Sequence, residues 1–295
     1  MKQGDLVVRN SYGGDVLFRI ESFRHAAAVL KGTDYRLLAD SPIDDLSIVR
    51  DPEVTNATKQ VRVRVSESMQ RMVQHQQRQQ QAHKIELAER FNVHHNQSYF
   101  EVPGKVLHLD GDGNYMKKSM QLYAQMRVPA YGVHANEAQM PELLYRLLPQ
   151  VKPDIVVITG HDGVLKNRPK EEIYNLSSYK NSQNFVNAVQ VAREYEKTRD
   201  GLIIVAGACQ SHFEALLHAG ANFASSPGRI LIHALDPVYI AIKASYTSVR
   251  ETINLVEVIN GTISGVDGVG GIETLGRHRI GLPRPKVQMS QPVRI

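Results

Sequence analysis

A histidine and a cysteine follow two strongly apolar runs of the chain. His161 comes just after Asp154–Thr159, and Cys209 comes just after Leu202–Ala206. Continuous apolar runs of this length are typical of strands that are buried on both faces of a parallel sheet. The carboxyl ends of such strands meet at one edge, so the two side chains would face each other if the strands are neighbours about 4.8 Å apart. This pattern predicts nucleophilic catalysis by a thiolate with a histidine partner.

The residues after Cys209 predict a helix that would activate the thiol. Ser211 and Glu214 have the spacing of a capping box, which places the N-cap of the helix at Ser211. Free N–H groups and the positive end of the helix dipole favour a thiolate just before such a start. The alternative is that Cys209, the single cysteine of the chain, is a buried structural thiol. A single cysteine also excludes an intramolecular disulfide.

The sequence around this pair resembles a known type of catalytic site. The histidine lies in G-H-D-G, the cysteine lies in A-C-Q-S, and His161 precedes Cys209 by about 50 residues, as in caspases. The two strings are similar to the dyad of the caspase-like cysteine peptidases, which include caspases, clostripain, gingipain and legumain. This resemblance implies a mostly parallel sheet flanked by helices in a three-layer α/β sandwich.

A second resemblance covers essentially the full length of the chain. From GDLVVRNSYGGDVLFRI through VITGHDGV and VAGACQSHFEA to the glycine-rich end, the sequence resembles the YabG family of sporulation-specific proteases of spore-forming bacteria. The resemblance implies a cysteine endopeptidase, made in the cytoplasm of the mother cell, that trims proteins of the spore coat and cortex interface. It places the catalytic pair on His161 and Cys209 and implies neither a metal nor an organic cofactor.

Two further residues are candidates for binding the substrate. Caspase-like peptidases usually have Gly directly after the histidine, whereas Asp162 intervenes here. Gly163 is therefore the candidate for the second N–H of the oxyanion hole, beside the N–H of Cys209. Asp236 follows the predicted fifth strand, where an acidic residue would favour cleavage after Arg or Lys. The alternative for Asp236 is the N-cap of a following helix, with Pro237 in its first position.

The strand ends also allow a metal-dependent hydrolase. Imidazoles and carboxylates are ligands for zinc or manganese, and the candidates are His108, Asp110, His134, His161, Asp162 and His233. No closely spaced pair such as H-x-x-x-H is present, and the string D-G-D-G at residues 110–113 is more often only a turn. A third alternative is a non-enzymatic scaffold of the spore coat, or an RNA-binding protein.

Composition and charge limit the classes of protein further. The chain has 295 residues, 42% of them apolar and 22% charged, which excludes wholesale disorder. No apolar run approaches the ~20 residues of a membrane-spanning helix, and no secretory signal is visible at the start. The net charge is +5, and the excess of basic residues is concentrated between residues 57 and 92. We interpret that stretch as a solvated helix, not as a specific nucleic-acid site; the oligomeric state stays open.

The order of the patterns predicts three parts. Residues 1–55 hold short strands that are typical of a small SH3-like or KOW-like β-barrel, residues 56–100 are a basic, Gln-rich helical linker, and residues 101–295 are an α/β peptidase domain with a glycine-rich tail. The strands predicted in the last part are Lys105–Leu109, Ala130–Val133, Asp154–Thr159, Leu202–Ala206 and Arg229–Ile232. The helices predicted between them are Tyr115–Met126, Ala138–Leu148, Gln183–Lys197 and Ser211–Ala219.

Overall fold

Two sheets of different kinds are built from the two ends of the chain. The computed structural model describes residues 1–51, 63–71, 100–165 and 170–281, and residues 73, 74, 77, 78, 81 and 85 within a helix. The strands are β1 (Leu6–Arg9), β2 (Phe18–Arg24), β3 (Ala27–Gly32), β4 (Leu38–Pro42), β5 (Leu46–Ile48), β6 (Phe100–Val102), β7 (Val106–Asp110), β8 (Ala130–His134), β9 (Ile155–Thr159), β10 (Ile203–Ala206), β11 (Phe223–Ser225), β12 (Val269–Gly271) and β13 (Arg279–Gly281). The helices are α1 (residues 63–71), α2 (Gly113–Gln125), α3 (Met140–Val151), α4 (Ser182–Tyr195), α5 (Phe213–Ala219), α6 (Asp236–Tyr246), α7 (Leu255–Gly261) and α8 (Gly265–Gly268).

The larger sheet is mostly parallel and has helices on both faces. Its strand order is β12-β11-β10-β9-β7-β8, and only the edge strand β12 runs antiparallel to its neighbour. Leu144, Phe185 and Leu216 from helices α3, α4 and α5 pack on one face. Leu122 and Ile240 from α2 and α6 pack on the other. Each fully buried side chain of this kind contributes about 1.5–3 kcal/mol, and the sheet between the two layers confirms the predicted α/β class.

The smaller sheet is antiparallel and contains the amino-terminal strands in the order β4-β3-β2-β1-β5. Alternation along β3 turns Ala28 and Leu30 inwards, where they join Phe18 in a third apolar cluster. Ile232 and Cys209 of the α/β part belong to the same cluster. The amino-terminal sheet therefore packs on the segment that carries the predicted nucleophile. The SH3-like or KOW-like barrel and the boundaries of the three parts stay predictions.

One predicted strand is wrong. Arg229–Ile232 forms no strand, and Phe223–Ser225 takes its place in the sheet beside β10. Arg229 has a φ of 53°, which is incompatible with extended backbone. His233 and Asp236 therefore do not follow a strand as predicted, and Ile232 lies beside Cys209, with its N–H donating to Sγ at 3.2 Å.

The other sequence predictions hold to different extents. The strands β7, β8, β9 and β10 and the helices α2 to α5 lie within a few residues of their predicted positions. The glycine-rich tail, for which no helix or strand is predicted above, contains α8, β12 and β13. Much of the linker 56–100 lies outside the described residues, although residues 63–71 are helical as predicted. Among the helices that the structure describes, none is long and apolar enough to span a membrane.

Candidate active site

The strands β9 and β10 are hydrogen-bonded neighbours and run parallel. Ile158 pairs with Ala206 in the register of the two strands. His161 lies three residues after Ile158, and Cys209 lies three residues after Ala206. The two loops therefore leave the sheet at the same edge and at the same level. The predicted adjacency of the two strands is confirmed.

Asp162 joins these two loops. Its carboxylate accepts hydrogen bonds from the backbone N–H groups of Gly163 at 2.9 Å and Asn181 at 2.8 Å. It also accepts from the hydroxyl of Ser211 at 2.9 Å and from the hydroxyl of Ser182. Burial raises the pKa of Asp162, and the hydrogen bonds oppose that rise. Because Ser211 belongs to the loop of the cysteine, a single carboxylate holds the histidine loop and the cysteine loop together.

The thiol of Cys209 is fully buried and bound to backbone. Its Sγ accepts from the N–H of Ile232 at 3.2 Å and lies 3.6 Å from the carbonyl oxygen of Ile232. Burial raises the pKa of Cys209 to about 12, so the resting group is a neutral thiol. The expected thiolate beside a helix start is not found in this form of the site.

The helix after Cys209 also begins later than predicted. The N-cap of α5 is His212, whose Nδ1 accepts from the N–H of Ala215 at 3.3 Å. Ser211, which the capping-box pattern selected, instead accepts from the N–H of Ala208 at 2.9 Å. The predicted capping box is wrong, because the serine is used to close the turn around Cys209.

His161 lies in a buried, acidic environment. Its ring stacks on Tyr115, with the ring centroids 5.5 Å apart. Nε2 lies 3.7 Å from Oδ2 of Asp112, and Nδ1 lies 4.0 Å from Oε1 of Glu137. Burial lowers the pKa of His161 to about 4, although the charge of Asp112 opposes this shift. The imidazole is therefore neutral near pH 7, and its Nε2 has no hydrogen-bond partner in the described part of the chain.

Glu137 is seated between two strand-end glycines. A Cβ atom on Gly111 or on Gly160 would come well inside van der Waals contact with the Glu137 carboxylate. The same carboxylate accepts from the N–H of His161 at 2.9 Å. The glycines at the ends of β7 and β9 therefore make room for an acid that contacts both the backbone and, at longer range, the ring of His161.

The string D-G-D-G at residues 110–113 contributes several residues to the candidate site. Asp112 caps α2, because its Oδ1 accepts from the N–H groups of Asn114 at 2.8 Å and Tyr115 at 3.2 Å. Its second carboxylate oxygen is the one directed at His161. Gly111 accommodates Glu137. The residues that we interpreted as a turn form one wall of the candidate site.

Asp110 binds a residue of the amino-terminal sheet that the sequence analysis missed. Arg36 Nη1 donates to Oδ1 of Asp110 at 3.0 Å, and Nη2 lies 2.9 Å from Oδ2. Both side chains are fully buried. Burial by itself would raise the pKa of Asp110, but the neighbouring Arg36 and His108 hold it far below its usual range. The partners are 74 residues apart, so no spacing in the sequence indicates the pair.

The two predicted substrate-binding residues lie in different settings. The N–H of Gly163 is occupied by Asp162, and a Cβ on this glycine would lie 3.6 Å from the side-chain oxygen of Gln210, next to the cysteine. Asp236 is fully buried, and its carboxylate accepts from the N–H groups of Ile263 at 2.7 Å and Ser264 at 3.2 Å. Burial raises the pKa of Asp236 to about 6. Contact of either residue with substrate stays a prediction.

The residues of the alternative metal site are dispersed. His108 hydrogen-bonds the hydroxyl of Thr159 at 2.8 Å and that of Tyr123 at 3.2 Å. His134 is exposed at the end of β8, and the ring of His233 lies against Tyr35, with the ring centroids 6.3 Å apart. Within the described ranges, no group of three or more His, Cys, Asp or Glu side chains is arranged to hold a metal ion.

Comparison with known proteins places the chain in a family. Residues 2–283 match the family model described as YabG peptidase U57. The chain is 45% identical over 285 residues to the sporulation-specific protease YabG of Bacillus subtilis (strain 168), with 95% of this chain and 97% of that relative covered. This chain belongs to the YabG peptidase family. The fold and the strand-end pair described above are therefore those of a YabG-family member.

We expect Gly111→Ala to destabilise this YabG-family chain by about 1–3 kcal/mol, because the new methyl would push Glu137 off the backbone N–H that it accepts from. Urea unfolding would measure the change. The control is Gly113→Ala, where the nearest atom, Nδ1 of His134, is 3.7 Å from the new Cβ. Equal stability of the two variants would contradict the close packing of the Glu137 carboxylate against Gly111.

The buried imidazole also predicts a pH dependence of stability. The pKa of His161 is 6.5 unfolded and about 4 folded, so between these values the unfolded chain binds the extra proton. The contribution of His161 is complete above pH 6.5 and is lost as the pH falls towards 4, by up to ~1.4 kcal/mol per pH unit. We expect His161→Gln to reduce this slope in urea titrations, whereas replacing the exposed His218 by Gln leaves it unchanged. Parallel curves for wild type and His161→Gln would exclude the assignment.

Proposed function

We propose that this chain is a sporulation-specific cysteine endopeptidase in which Cys209 is the nucleophile and His161 is the acid–base group. The observation that carries the proposal is the position of the two residues at the ends of neighbouring parallel strands, with Asp162 holding their loops together, in a member of a peptidase family. The name of the relative in Bacillus subtilis supports the sporulation role. Its proteolytic substrates would be proteins of the spore coat and cortex interface, reached in the mother cell.

The proposed reaction is an acyl transfer through a thioester. His161 takes the proton of the Cys209 thiol, and the sulfur attacks the carbonyl carbon of the peptide bond. The imidazolium then protonates the leaving amine as the carbon–nitrogen bond breaks, and the neutral imidazole activates the water that hydrolyses the thioester. The neutral resting state of both groups suits this sequence, because the proton moves only when the substrate has arrived.

The surrounding acids would stabilise the charged histidine. Asp112 and Glu137 lie within about 4 Å of the two ring nitrogens of His161. A carboxylate at this distance favours imidazolium, and the effect is larger in a buried site than in water. These two residues are positioning residues, since they act on His161 and not on the substrate. The Cys209 N–H would bind the oxyanion; for Gly163 to contribute, its N–H would have to exchange Asp162 for the substrate oxygen.

A preference for cleavage after Arg or Lys is part of the proposal. Asp110 supports it better than Asp236, because the carboxylate of Asp110 already binds a guanidinium with two parallel contacts. Such bidentate pairing selects a planar cation strongly. The carboxylate of Asp236 instead accepts from the backbone N–H groups of Ile263 and Ser264, which lie between α7 and α8.

The catalytic pair is tested by substitution and by inhibitors. With a basic coat-type protein as substrate, we expect Cys209→Ala and His161→Ala each to lower kcat/KM by about 10³-fold or more, and iodoacetamide to abolish cleavage. His134→Ala is the matched control, since it removes an exposed histidine from another strand end and should retain activity. Loss of activity with EDTA alone would favour the metal-dependent alternative. Absence of cleavage under all conditions would leave a scaffold.

The preference for basic residues is tested with peptides that differ only at the residue before the cut. We expect kcat/KM for Arg to exceed that for Gln by about 10²-fold or more, because Gln leaves a buried carboxylate without its partner. Lys should fall between them, since it cannot form the bidentate pair. Equal rates for Arg and Gln, measured by chromatography of the products, would exclude the preference without affecting the cysteine mechanism.

A further inference from the structure

The connection between β3 and β4 leaves the amino-terminal sheet and lies across the candidate active site. This connection, residues 33–37, is called the hairpin tip below. Gly32 N–H donates to the carbonyl of Leu37 at 2.9 Å, which closes the base of the tip. A Cβ on Gly32 would collide with the carbonyl oxygen of Tyr35, so only glycine fits this close turn. The tip is thus a tight, preformed loop.

The backbone of the hairpin tip pairs with the segment from Ile232 to Ala234, which lies beside Cys209. Arg36 N–H donates to the carbonyl of Ile232 at 3.1 Å, and Ala234 N–H donates to the carbonyl of Asp34 at 2.7 Å. Tyr35 and His233 form an antiparallel bridge between these bonds. An extended peptide that adds itself to an exposed backbone edge makes this pattern of bonds.

The side chain of Arg36 fills a pocket that fits one cation. Besides the two contacts with Asp110, its Nε and Nη2 donate to the carbonyl oxygen of Ala234 at 3.1 and 2.7 Å. The guanidinium carbon lies 5.1 Å from the ring centroid of Tyr115, which also stacks on His161. A fully buried arginine with a carboxylate, a carbonyl and a ring as partners has the chemistry of a recognised basic side chain.

The main chain at Arg36 lies beside the predicted nucleophile. The carbonyl oxygen of Ile232 accepts from Arg36 N–H and lies 3.6 Å from Sγ of Cys209. On the other side, Leu37 bridges to Asp162, the residue after His161. The peptide group that follows Arg36 is therefore flanked by the cysteine loop and the histidine loop. Cys209 is fully buried and His161 is 2% exposed, so no outside peptide reaches them in this form.

The backbone after Arg36 does not continue as an extended strand. Leu37 N–H turns back and donates to the carbonyl of Tyr35 at 2.8 Å, which makes a three-residue turn centred on Arg36. The residues before Arg36 are held as a bound peptide is held, whereas the bond after it is folded back. This geometry is suited to occupation of a cleft and not to rapid cleavage.

We propose that the hairpin tip is a built-in inhibitor that occupies the substrate cleft, with Arg36 in the pocket of a basic substrate side chain. The proposal rests on the proposed peptidase function, and it adds the assignment of Asp110 and the Ala234 carbonyl as that pocket and of Ile232 to Ala234 as the edge that binds the peptide backbone. Substrates compete with a segment of the same chain, which is present at a high effective concentration.

Displacement of the tip does not require unfolding of either sheet. Thr33 and Asp34 border a cavity of about 1050 Å³. This cavity is also lined by Met69 of α1 and by Leu235. This cavity would give Thr33 and Asp34 room to move when a basic peptide binds Asp110 in place of Arg36.

The alkylation rate of Cys209 tests the proposal without any substrate, because the chain contains one cysteine. Iodoacetamide labelling, followed by intact mass, is measured for wild type, Arg36→Lys and Arg36→Gln, with Arg24→Lys and Arg24→Gln as controls on the exposed side of the same sheet. If the tip covers the thiol for about nine-tenths of the time, the Arg36 variants should react about tenfold faster than wild type and the controls.

The direction in which the alkylation rate changes distinguishes exposure of Cys209 from the loss of the charge of Arg36. Burial raises the pKa of Cys209 and the charge of Arg36 opposes that rise, so removal of the charge alone would slow alkylation. Arg36→Lys retains the charge and keeps the test valid if Arg36→Gln fails to fold, which circular dichroism would detect. For an Arg-containing peptide, KM should fall by about tenfold in Arg36→Lys with kcat unchanged.

Two outcomes distinguish this inference from the proposed function. If the Arg36 variants are alkylated faster but no form of the protein cleaves peptides, the hairpin tip covers Cys209 but the peptidase proposal fails, and the inhibitor role is overturned with it. If peptides are cleaved in a Cys209-dependent manner but folded Arg36→Lys shows the alkylation rate and the KM of wild type, the inhibitor proposal is overturned.

Discussion

A guanidinium and a carboxylate that are both removed from water each lose several kcal/mol of hydration, and only good mutual geometry restores it. Arg36 and Asp110 meet this condition with two short contacts and with further hydrogen bonds on the arginine. The pair connects the amino-terminal sheet to the end of β7. Removing one partner would leave the other charged and buried, which costs about 3–5 kcal/mol. The packing of the two sheets and the shape of the candidate cleft therefore depend on the same contact.

The burial that this contact brings about also explains the electrostatics of the site. Cys209 shares an apolar cluster with Leu37 and with residues of the amino-terminal sheet. Burial raises the pKa of the thiol and, separately, lowers that of His161, so the pair is neutral and not an ion pair. The charge of the neighbouring Asp112 raises the pKa of His161, but burial lowers it by more. Under the inhibitor proposal, the site becomes polar only when substrate and water displace the hairpin tip.

The sequence predicts those features that depend on local pattern. The apolar runs that form β9 and β10 are long enough to indicate buried strands, and their chain order places His161 and Cys209 at one edge. The pairing of Arg36 with Asp110 could not be predicted, because it depends on how two sheets pack and not on spacing. The capping-box prediction at Ser211 failed for a related reason, since the hydroxyl has stronger partners in Asp162 and in the turn of Cys209. Local rules are overridden where tertiary contacts compete for the same atom.

The carboxylate of Asp162 has a consequence for movement. It is anchored to Ser182 at the beginning of α4, to its own loop, and to Ser211 beyond the cysteine. A displacement of the hairpin tip can therefore proceed while Asp162 keeps the loops of the proposed catalytic residues, His161 and Cys209, joined to each other. Under the two proposals, the covering loop belongs to the amino-terminal part of the chain and the catalytic pair to the α/β part, so substitutions in the cover would alter access to the site and leave the link through Asp162 in place.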